Sequence, residues 1–193
     1  EILPTLQADA VVTDPPYGLG DLWQGGDANS RSHWHHADGG AATKWDAAPC
    51  EFIDLVVAAA PKSIVWGGNY FVLPPSRAWL SWDKTPREFT SGAFELAWTN
   101  LDQPTRSFTA PRCVQSKEHP TEKPLALMLW CLGFLPDAQT ILDPMCGSGT
   151  TGVACAKLGR RFIGVEIHEP YFRIACRRIA DAVHGGVQPD LFG

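Results

Sequence analysis

The sequence predicts an α/β domain built on a doubly wound, mostly parallel β-sheet. Short apolar runs alternate with segments of helical composition along most of the 193 residues, which is typical of a parallel sheet covered by helices on both faces. Two of the apolar runs end at an aspartate followed by proline, at Asp14 and at Asp143. Ligands of such sheets bind outside the carboxyl ends of the strands, so we expect the two aspartates to meet at one crevice. The length and the 45% hydrophobic content suit a single domain over residues 1–193.

The first predicted strand covers residues 9–13 (DAVVT). It ends at residues 14–17 (DPPY), because two consecutive prolines continue neither a helix nor a strand ladder. The composition then changes to Gly, Asp, Asn, Ser, His and Trp over residues 18–43. A stretch of this length without predicted structure is usually functional or disordered, so we expect a mobile loop beside the site. Its histidines are better explained as solvated side chains than as ligands, and we predict no metal site.

The middle of the chain continues the alternation of strands and helices. Residues 52–60 predict a buried helix, and residues 63–66 predict a strand that follows it. Residues 78–82 and 94–99 predict two further strands. The alternating pattern of residues 94–99 (FELAWT) suits an antiparallel strand at an edge of the sheet.

The last third of the chain contains a predicted strand, glycine-rich turn, helix and strand over residues 140–167. A polar loop at 119–124 (HPTEKP) and an apolar helix over 125–134 precede this unit, and an amphipathic helix over 169–183 follows it. Glycines at the carboxyl end of a strand let the backbone approach a ligand, and an acid about 20 residues further on, here Glu166, can bind ribose hydroxyls. This unit therefore predicts an adenosine-type pocket.

Composition narrows the classes of function. The net charge of −5 disfavours a protein that coats nucleic acid through bulk attraction, although it permits a local basic groove. No apolar run approaches the roughly 18 residues of a membrane span, and the first residues lack the features of a signal peptide. We therefore expect a cytoplasmic protein with no membrane partner. The six cysteines form no C-x-x-C pair, so free thiols are expected rather than disulfides or zinc ligands.

The motifs, taken as a set, resemble those of the S-adenosylmethionine-dependent DNA amino-methyltransferases, which methylate the exocyclic amine of adenine or cytosine. DPPY and DPMCGSGTT (143–151) carry the resemblance, and HPTEKP, WGGNYF (66–71), LSWDK (80–84) and FELAWTN (94–100) extend it over nearly the whole chain. The catalytic motif precedes the cofactor motif, as in the beta group of the family.

This resemblance implies a Rossmann-like methyltransferase fold with a sheet of the seven-stranded type. It implies S-adenosylmethionine as the cofactor, DNA as the partner and, as in other beta-group members, a homodimer. One edge strand of the family would lie before Glu1 and is absent from this sequence. The region 99–118 predicts a short recognition region, because family members generally carry a larger insert there.

The resemblance also assigns residues to two sites. The catalytic residues are Asp14, Pro15, Pro16 and Tyr17. The cofactor-binding residues are Lys123, Pro124, Asp143, Pro144, Cys146, Gly147, Ser148, Gly149, Thr150, Thr151, Glu166 and Ile167. Among these, the turn that starts at Asp143 contacts the methionine moiety and shapes the pocket, Glu166 binds the ribose and Ile167 packs on the adenine of the cofactor. Lys123 and Pro124 cover the cofactor from the other side.

The chemistry of the catalytic residues follows from the substrate amine. Its lone pair is delocalised into the base, so a catalyst must accept its hydrogens and draw the nitrogen toward tetrahedral geometry. Asp14 and the carbonyl oxygen of Pro15 can accept these hydrogens. Tyr17 offers an aromatic face on which a flipped base can stack.

Other functions remain open at this point. N4-cytosine methylation uses the same geometry, but a leading serine is more typical there, so Asp14 favours adenine N6. Cys50 offers the thiolate that C5-cytosine methylation needs, although it lies at a predicted helix entrance. RNA or protein amino-methyltransferases more often have asparagine in place of Asp14. A nicotinamide dehydrogenase is disfavoured by the threonines after Gly149, and a non-catalytic nucleotide-binding module is disfavoured by the intact DPPY.

Overall fold

The computed structural model describes residues 6–19, 46, 48–85, 93–111 and 122–185. The strands are β1 Ala10–Thr13, β2 Lys62–Trp66, β3 Trp79–Thr85, β4 Phe94–Thr99, β5 Arg106–Pro111, β6 Thr140–Asp143 and β7 Arg161–Gly164. The helices are α1 Ile53–Ala58, α2 Leu125–Gly133, α3 Thr150–Lys157 and α4 Glu169–His184, with a 3-10 turn over Gly68–Tyr70.

The seven described strands form one mixed sheet in the order β5-β3-β4-β2-β1-β6-β7. Strands β2, β1, β6 and β7 pair in parallel, as do β3 and β5, and only β4 runs antiparallel to its neighbours. The two strands that carry the aspartate motifs, β1 and β6, are direct neighbours. Their carboxyl ends therefore lie side by side, as the sequence predicts.

Helices cover both faces of the sheet, which confirms the doubly wound α/β prediction. On one face, α2 and α3 pack on a core that includes Val12, Ile64 and Trp66. On the other face, α1 packs on a core that includes Val11 and Val65. Consecutive residues of β1 and β2 alternate between the two cores, because side chains of a strand point to opposite faces.

The position predicted for the antiparallel strand was wrong, although its direction was right. The strand β4 pairs with β2 on one side and β3 on the other, so it lies inside the sheet. The described sheet ends instead at β5 and β7. The alternating pattern of residues 94–99 misled the prediction because only the first half of β4 is open to solvent: Phe94 is 53% exposed, whereas Ala97 and Trp98 are buried.

Several expectations fall on residues outside the described ranges. The predicted loop at 18–43 is described only as far as residue 19, and the recognition region at 99–118 only as far as residue 111. Within that region the structure adds the edge strand β5, which was not predicted because its six residues include three polar side chains and a proline and show no apolar run; four of the six are exposed. The absent N-terminal strand and the homodimer remain predictions. No helix in the described ranges is long and apolar enough to cross a membrane.

Candidate active site and cofactor pocket

The two aspartate motifs are joined directly across the sheet. Thr13, the last residue of β1, donates its hydroxyl to Asp143 Oδ1 at 2.7 Å. The hydroxyl of Thr151 donates to the other oxygen, Oδ2, at 2.8 Å, and the backbone N–H of Met145 donates to Oδ1 at 3.3 Å. Asp143 is thus a buried acceptor that ties the end of β1, the turn after β6 and the first turn of α3 together.

Burial raises the pKa of Asp143 to about 6, although the hydroxyls of Thr13 and Thr151 favour its ionised form. Asp143, Thr150 and Thr151 belong to the turn that the resemblance assigns to the methionine moiety. In the structure all three are buried, and the hydroxyl of Thr151 donates to Asp143. Asp143 and Thr151 therefore support the turn from inside the protein, which agrees with a role in shaping the pocket.

The DPPY turn is held by a segment that the sequence analysis did not single out. The carboxylate of Asp46 accepts the backbone N–H groups of Tyr17, Gly18 and Leu19 at 2.5, 2.9 and 3.2 Å. The carbonyl of Pro16 accepts the N–H of Cys50 at 3.1 Å. Within the described ranges no backbone donor bonds the carbonyl of Pro15, a residue that is itself buried.

The ring of Tyr17 is fixed by the glycine-rich segment after β2. It stacks on the ring of Tyr70, with centroids 4.9 Å apart and planes inclined by 23°. A Cβ at Gly67 would lie 1.9 Å from Tyr17 Cε1, so only glycine permits this approach, and its φ of +66° also favours glycine. The hydroxyl of Tyr17 donates to Asp14 Oδ1. Burial, with the Asp14 charge, raises the pKa of Tyr17 well above its usual value, so the hydroxyl stays a donor.

Asp14 is one member of a cluster of four buried charges. Its Oδ2 forms an ion pair with the ammonium of Lys123. The same ammonium lies 3.1 Å from Glu95 Oε2, and Glu95 Oε1 pairs with Lys84. The four side chains are between 8% and 25% exposed. We call Asp14, Lys123, Glu95 and Lys84 the charge cluster.

The pKa directions within the charge cluster follow from burial and from the opposite charges. Burial raises the pKa of Asp14, with Lys123 opposing it. For Lys123 burial acts the other way, but the carboxylates of Asp14 and Glu95 outweigh it and raise its pKa. Burial also disfavours the Glu95 carboxylate, yet Lys123 and Lys84 lower its pKa overall. The charge cluster thus joins two acidic and two basic side chains in one network of ion pairs.

The glycine-rich turn after β6 has the conformation of a ligand cradle. Gly147 and Gly149 have φ values of +52° and +81°, a region that glycine adopts without strain. Gly149 is the N-cap of α3, and no side chain caps this helix end. The first N–H groups of α3, beside the glycine-rich turn, therefore have no intrahelical partners. Burial raises the pKa of the Cys146 thiol, which disfavours its thiolate form.

The acid at the end of β7 belongs to the same cradle. Glu166 Oε2 accepts the backbone N–H of Gly147 at 2.9 Å, and Oε1 accepts that of His168 at 2.7 Å. A carboxylate has further lone pairs for hydroxyl groups. Ile167 beside it is fully exposed, which leaves an apolar side chain without cover next to an acid. These residues fit the ribose and adenine of a nucleoside cofactor.

Arg178 on α4 connects the cofactor turn to the HPTEKP segment. Its guanidinium donates to the carbonyl and hydroxyl of Ser148 at 2.9 and 2.6 Å, and it also pairs with Glu122. The next residue, Lys123, belongs to the charge cluster, and Pro124 is the N-cap of α2. The EKP tripeptide is thus anchored to the cofactor turn on one side and to Asp14 on the other.

The structure brings the predicted residues together in two adjacent groups. The turn from Asp143 to Thr151, with Glu166 and Ile167, forms the cradle, and residues 14–17 form the neighbouring turn. Lys123 lies in the second group rather than over the cradle. No role was predicted for Asp46, Tyr70, Lys84, Glu95 or Arg178. Tyr70, Lys84 and Glu95 nevertheless lie in the WGGNYF, LSWDK and FELAWTN motifs, and Glu95 had a further signal, since the amino end of an antiparallel strand lies at the carboxyl ends of its parallel neighbours.

The fold and the site together define a nucleotide-binding α/β domain of the methyltransferase type. Its doubly wound sheet carries a glycine-rich turn beside Glu166 at the end of one strand, and the turn with Asp14 and Tyr17 at the end of the neighbouring strand. A sequence profile of the DNA methylase family of N6/N4 amino-methyltransferases matches residues 63–177, more than half of the chain. The chain belongs to this family.

Two curated relatives agree with this assignment. The type II methyltransferase M2.DpnII of Streptococcus pneumoniae is 46% identical over 63 residues, 32% of this chain, and M2.LlaDCHI of Lactococcus lactis subsp. cremoris is 44% identical over the same length. These matches span 24% and 23% of those two proteins.

Two solved structures share the fold over most of their length. M1.HpyAVI in complex with SAM has a TM-score of 0.57 at 23% identity, covering 91% of this chain and 90% of that one. The cytosine-N4-specific PvuII DNA methyltransferase has a TM-score of 0.58 at 16% identity, covering 95% and 88%.

Proposed function

We propose that this protein is a DNA amino-methyltransferase that uses S-adenosylmethionine and methylates the exocyclic N6 amine of a flipped adenine. The observation that carries the proposal is the position of Asp14. Its carboxylate lies at the end of β1, next to the strand β6 whose turn forms the cofactor cradle, and it is oriented by Tyr17 and Lys123. An amine bound at Asp14 therefore faces the cradle.

The cradle suits the proposed cofactor in each of its parts. S-adenosylmethionine supplies a methyl group on a sulfonium sulfur that is open to in-line attack by an amine. The uncapped N–H groups of α3 suit its carboxylate. Glu166 suits the ribose hydroxyls, and the exposed Ile167 offers an apolar surface to the adenine.

Asp14 and Pro15 provide the acceptors that the substrate amine needs. A carboxylate has about four lone-pair directions, of which the donors Tyr17 and Lys123 use two. Asp14 can therefore also accept an amine hydrogen, and the Pro15 carbonyl can accept the second. When the nitrogen bonds to the methyl carbon, the carbon–sulfur bond of the sulfonium would break and leave S-adenosylhomocysteine, so the positive charge passes to the nitrogen, where the Asp14 carboxylate stabilises it. The amine then loses a proton, for which Asp14 is the nearest acceptor.

Tyr17 supports this chemistry by holding the base. Stacking on an aromatic ring contributes roughly 1–3 kcal/mol per base, which offsets much of the few kcal/mol needed to extrude a base from the duplex. Because Gly67 and Tyr70 pack against the ring and Asp14 accepts the hydroxyl, Tyr17 loses little side-chain entropy when the base arrives.

The choice of adenine over cytosine rests on Asp14 at the head of the motif, where N4-cytosine enzymes more typically have serine. We test it by incubating the protein with DNA and S-adenosylmethionine labelled in the methyl group, and then separating the product nucleosides. N6-methyladenine is expected. Labelled N4-methylcytosine would overturn the base assignment, and label found only in RNA or protein would overturn DNA as the substrate.

A further inference from the structure

Glu95 and Lys84 are the members of the charge cluster that no step of the proposed reaction uses, and of the two only Glu95 contacts Lys123. Glu95 lies at the amino end of β4, the one strand that runs against its neighbours in the described sheet. That direction brings Glu95 to the end of the sheet where the parallel strands have their carboxyl ends and where Asp14 follows β1. Its register partner on β3 is Trp82, two residues before Lys84 on the same face of that strand. The fold thus places Glu95 between the two lysines.

We propose that Glu95 is a positioning residue for methyl transfer: it shares the Lys123 ammonium with Asp14, so that Asp14 keeps enough negative charge to accept the substrate amine. This inference rests on the proposed function. A lone Asp14–Lys123 pair would be neutral and would stabilise a cationic nitrogen poorly. With Glu95 added, Asp14, Lys123 and Glu95 together carry one net negative charge, which complements the one positive charge of the reacting centre. Lys84 balances that charge only from the far side of Glu95, where it pairs with Oε1, the oxygen that does not contact Lys123.

The geometry of the Lys123 contacts supports this sharing. Glu95 Oε2 lies 3.1 Å from the ammonium, yet among the described groups it has no well-aligned hydrogen bond. It is therefore a buried acceptor with unused capacity beside a cation. Lys123 also lies 5.7 Å from the centroid of the Trp66 ring, which favours the cation at this place. Lys123 can therefore turn toward Glu95 as a substrate amine approaches Asp14.

The test is the pH dependence of kcat, because a positioning role through charge has a defined sign. Among the described residues, the titratable groups that face Asp14 are Tyr17 from its own turn, Lys123 from the segment before α2, Glu95 from β4 and Asp143 from β6. Activity requires ionised Asp14, and the negative charge of Glu95 raises the pKa of Asp14. The acid limb of kcat against pH reports that pKa in the bound complex.

In Glu95→Gln, Lys123 pairs with Asp14 alone. We expect kcat at saturating DNA and cofactor to fall about tenfold, the acid limb to move to lower pH by about one unit, and the Kd of the cofactor to stay unchanged. In Lys84→Gln, Glu95 is less compensated, so the limb should move to higher pH. Defective folding would not shift the two limbs in opposite directions, and thermal unfolding of both variants checks it directly.

Asp137→Asn is the matched control, since this carboxylate is 86% exposed and lies before the amino end of β6, away from the carboxyl ends of the strands where the site lies. It should leave the pH profile as in the wild type. A Glu95→Gln profile that coincides with that of Asp137→Asn would overturn the positioning role, as would limbs of Glu95→Gln and Lys84→Gln that move in the same direction. Wild-type protein that transfers no methyl group to DNA would instead overturn the proposed function.

Discussion

Ionisation of the buried Asp143 lowers the free energy of unfolding. Its pKa is about 6 in the folded chain against 3.8 in an unfolded one, so ionising it in the folded state costs about 3 kcal/mol at neutral pH. The native state binds the proton more tightly, so the cost is absent below about pH 4, grows as pH rises through the window between the two pKa values, and is complete above about pH 7. The three donors around the carboxylate explain why it is nevertheless ionised at neutral pH.

Replacing this carboxylate by an amide should therefore stabilise the fold in a pH-dependent way. At pH 7.5 we expect Asp143→Asn to unfold about 5 to 10 °C above the wild type, because Thr13 and Met145 keep an acceptor and the buried charge is removed. The difference should shrink toward pH 4. Calorimetric Tm values between these limits provide the measurement, with exposed Asp137→Asn as the control. A gain in Tm from Asp143→Asn that is smaller at pH 7.5 than at pH 4 would contradict this.

At the scale of the element, α4 acts as the clamp of the cofactor turn. Its residues Ala175 and Ile179 pack against Gly149 and Gly152, where a Cβ would lie 2.8 and 2.4 Å from their atoms. From the same helix, Arg178 bonds to Ser148 and Glu122. The amphipathic helix was predicted, and Ser148 and Glu122 both lie in predicted motifs. Nothing in the sequence, however, indicates that Arg178 bonds to these two residues, because the contact depends on how α4 packs.

Breaking the clamp should weaken cofactor binding more than catalysis. In Arg178→Ala, Glu122 and Ser148 lose a charged partner, a loss worth about 1.5–3 kcal/mol, so we expect the Kd for S-adenosylmethionine to rise about 10- to 100-fold. Titration calorimetry measures it. Arg173→Ala on the same helix is the control, because Arg173 forms an exposed pair with Glu169 and should leave the Kd unchanged. Equal effects of the two substitutions would show that Arg178 has no special role.

The element scale also explains which parts of the sheet could be predicted. The strands β1, β2 and β6 are short buried runs, β7 is a short, partly exposed edge strand, and all four are bounded by turn residues, so the hydrophobic pattern and the flanking turn residues were sufficient to predict them. The place of β4 was not predictable from its own pattern, because the cover on its second half comes from elements far away in the chain. β5 was missed because a polar edge strand resembles a loop.

At the scale of the whole molecule, the two aspartate motifs, which are far apart in the sequence, lie side by side because β1 and β6 are neighbouring parallel strands. The hydrogen bond between Thr13 and Asp143 joins residues 130 positions apart. Each aspartate motif could be recognised in the sequence, and the doubly wound topology predicted that they meet. The charge cluster could not be predicted, because its members come from the turn after β1, from β3, β4 and the segment before α2, and only the folded sheet brings them together.

The most direct test of the account is methyl transfer by wild type and Asp14→Ala, measured in parallel with cofactor binding. Label from S-adenosylmethionine should enter DNA as N6-methyladenine with the wild type. The variant should transfer essentially none while binding the cofactor with nearly the same Kd, because Glu166, Ile167 and the cradle are untouched. Transfer that persists in Asp14→Ala, or cofactor binding that is lost together with transfer, would contradict the assignment of Asp14 to the substrate amine.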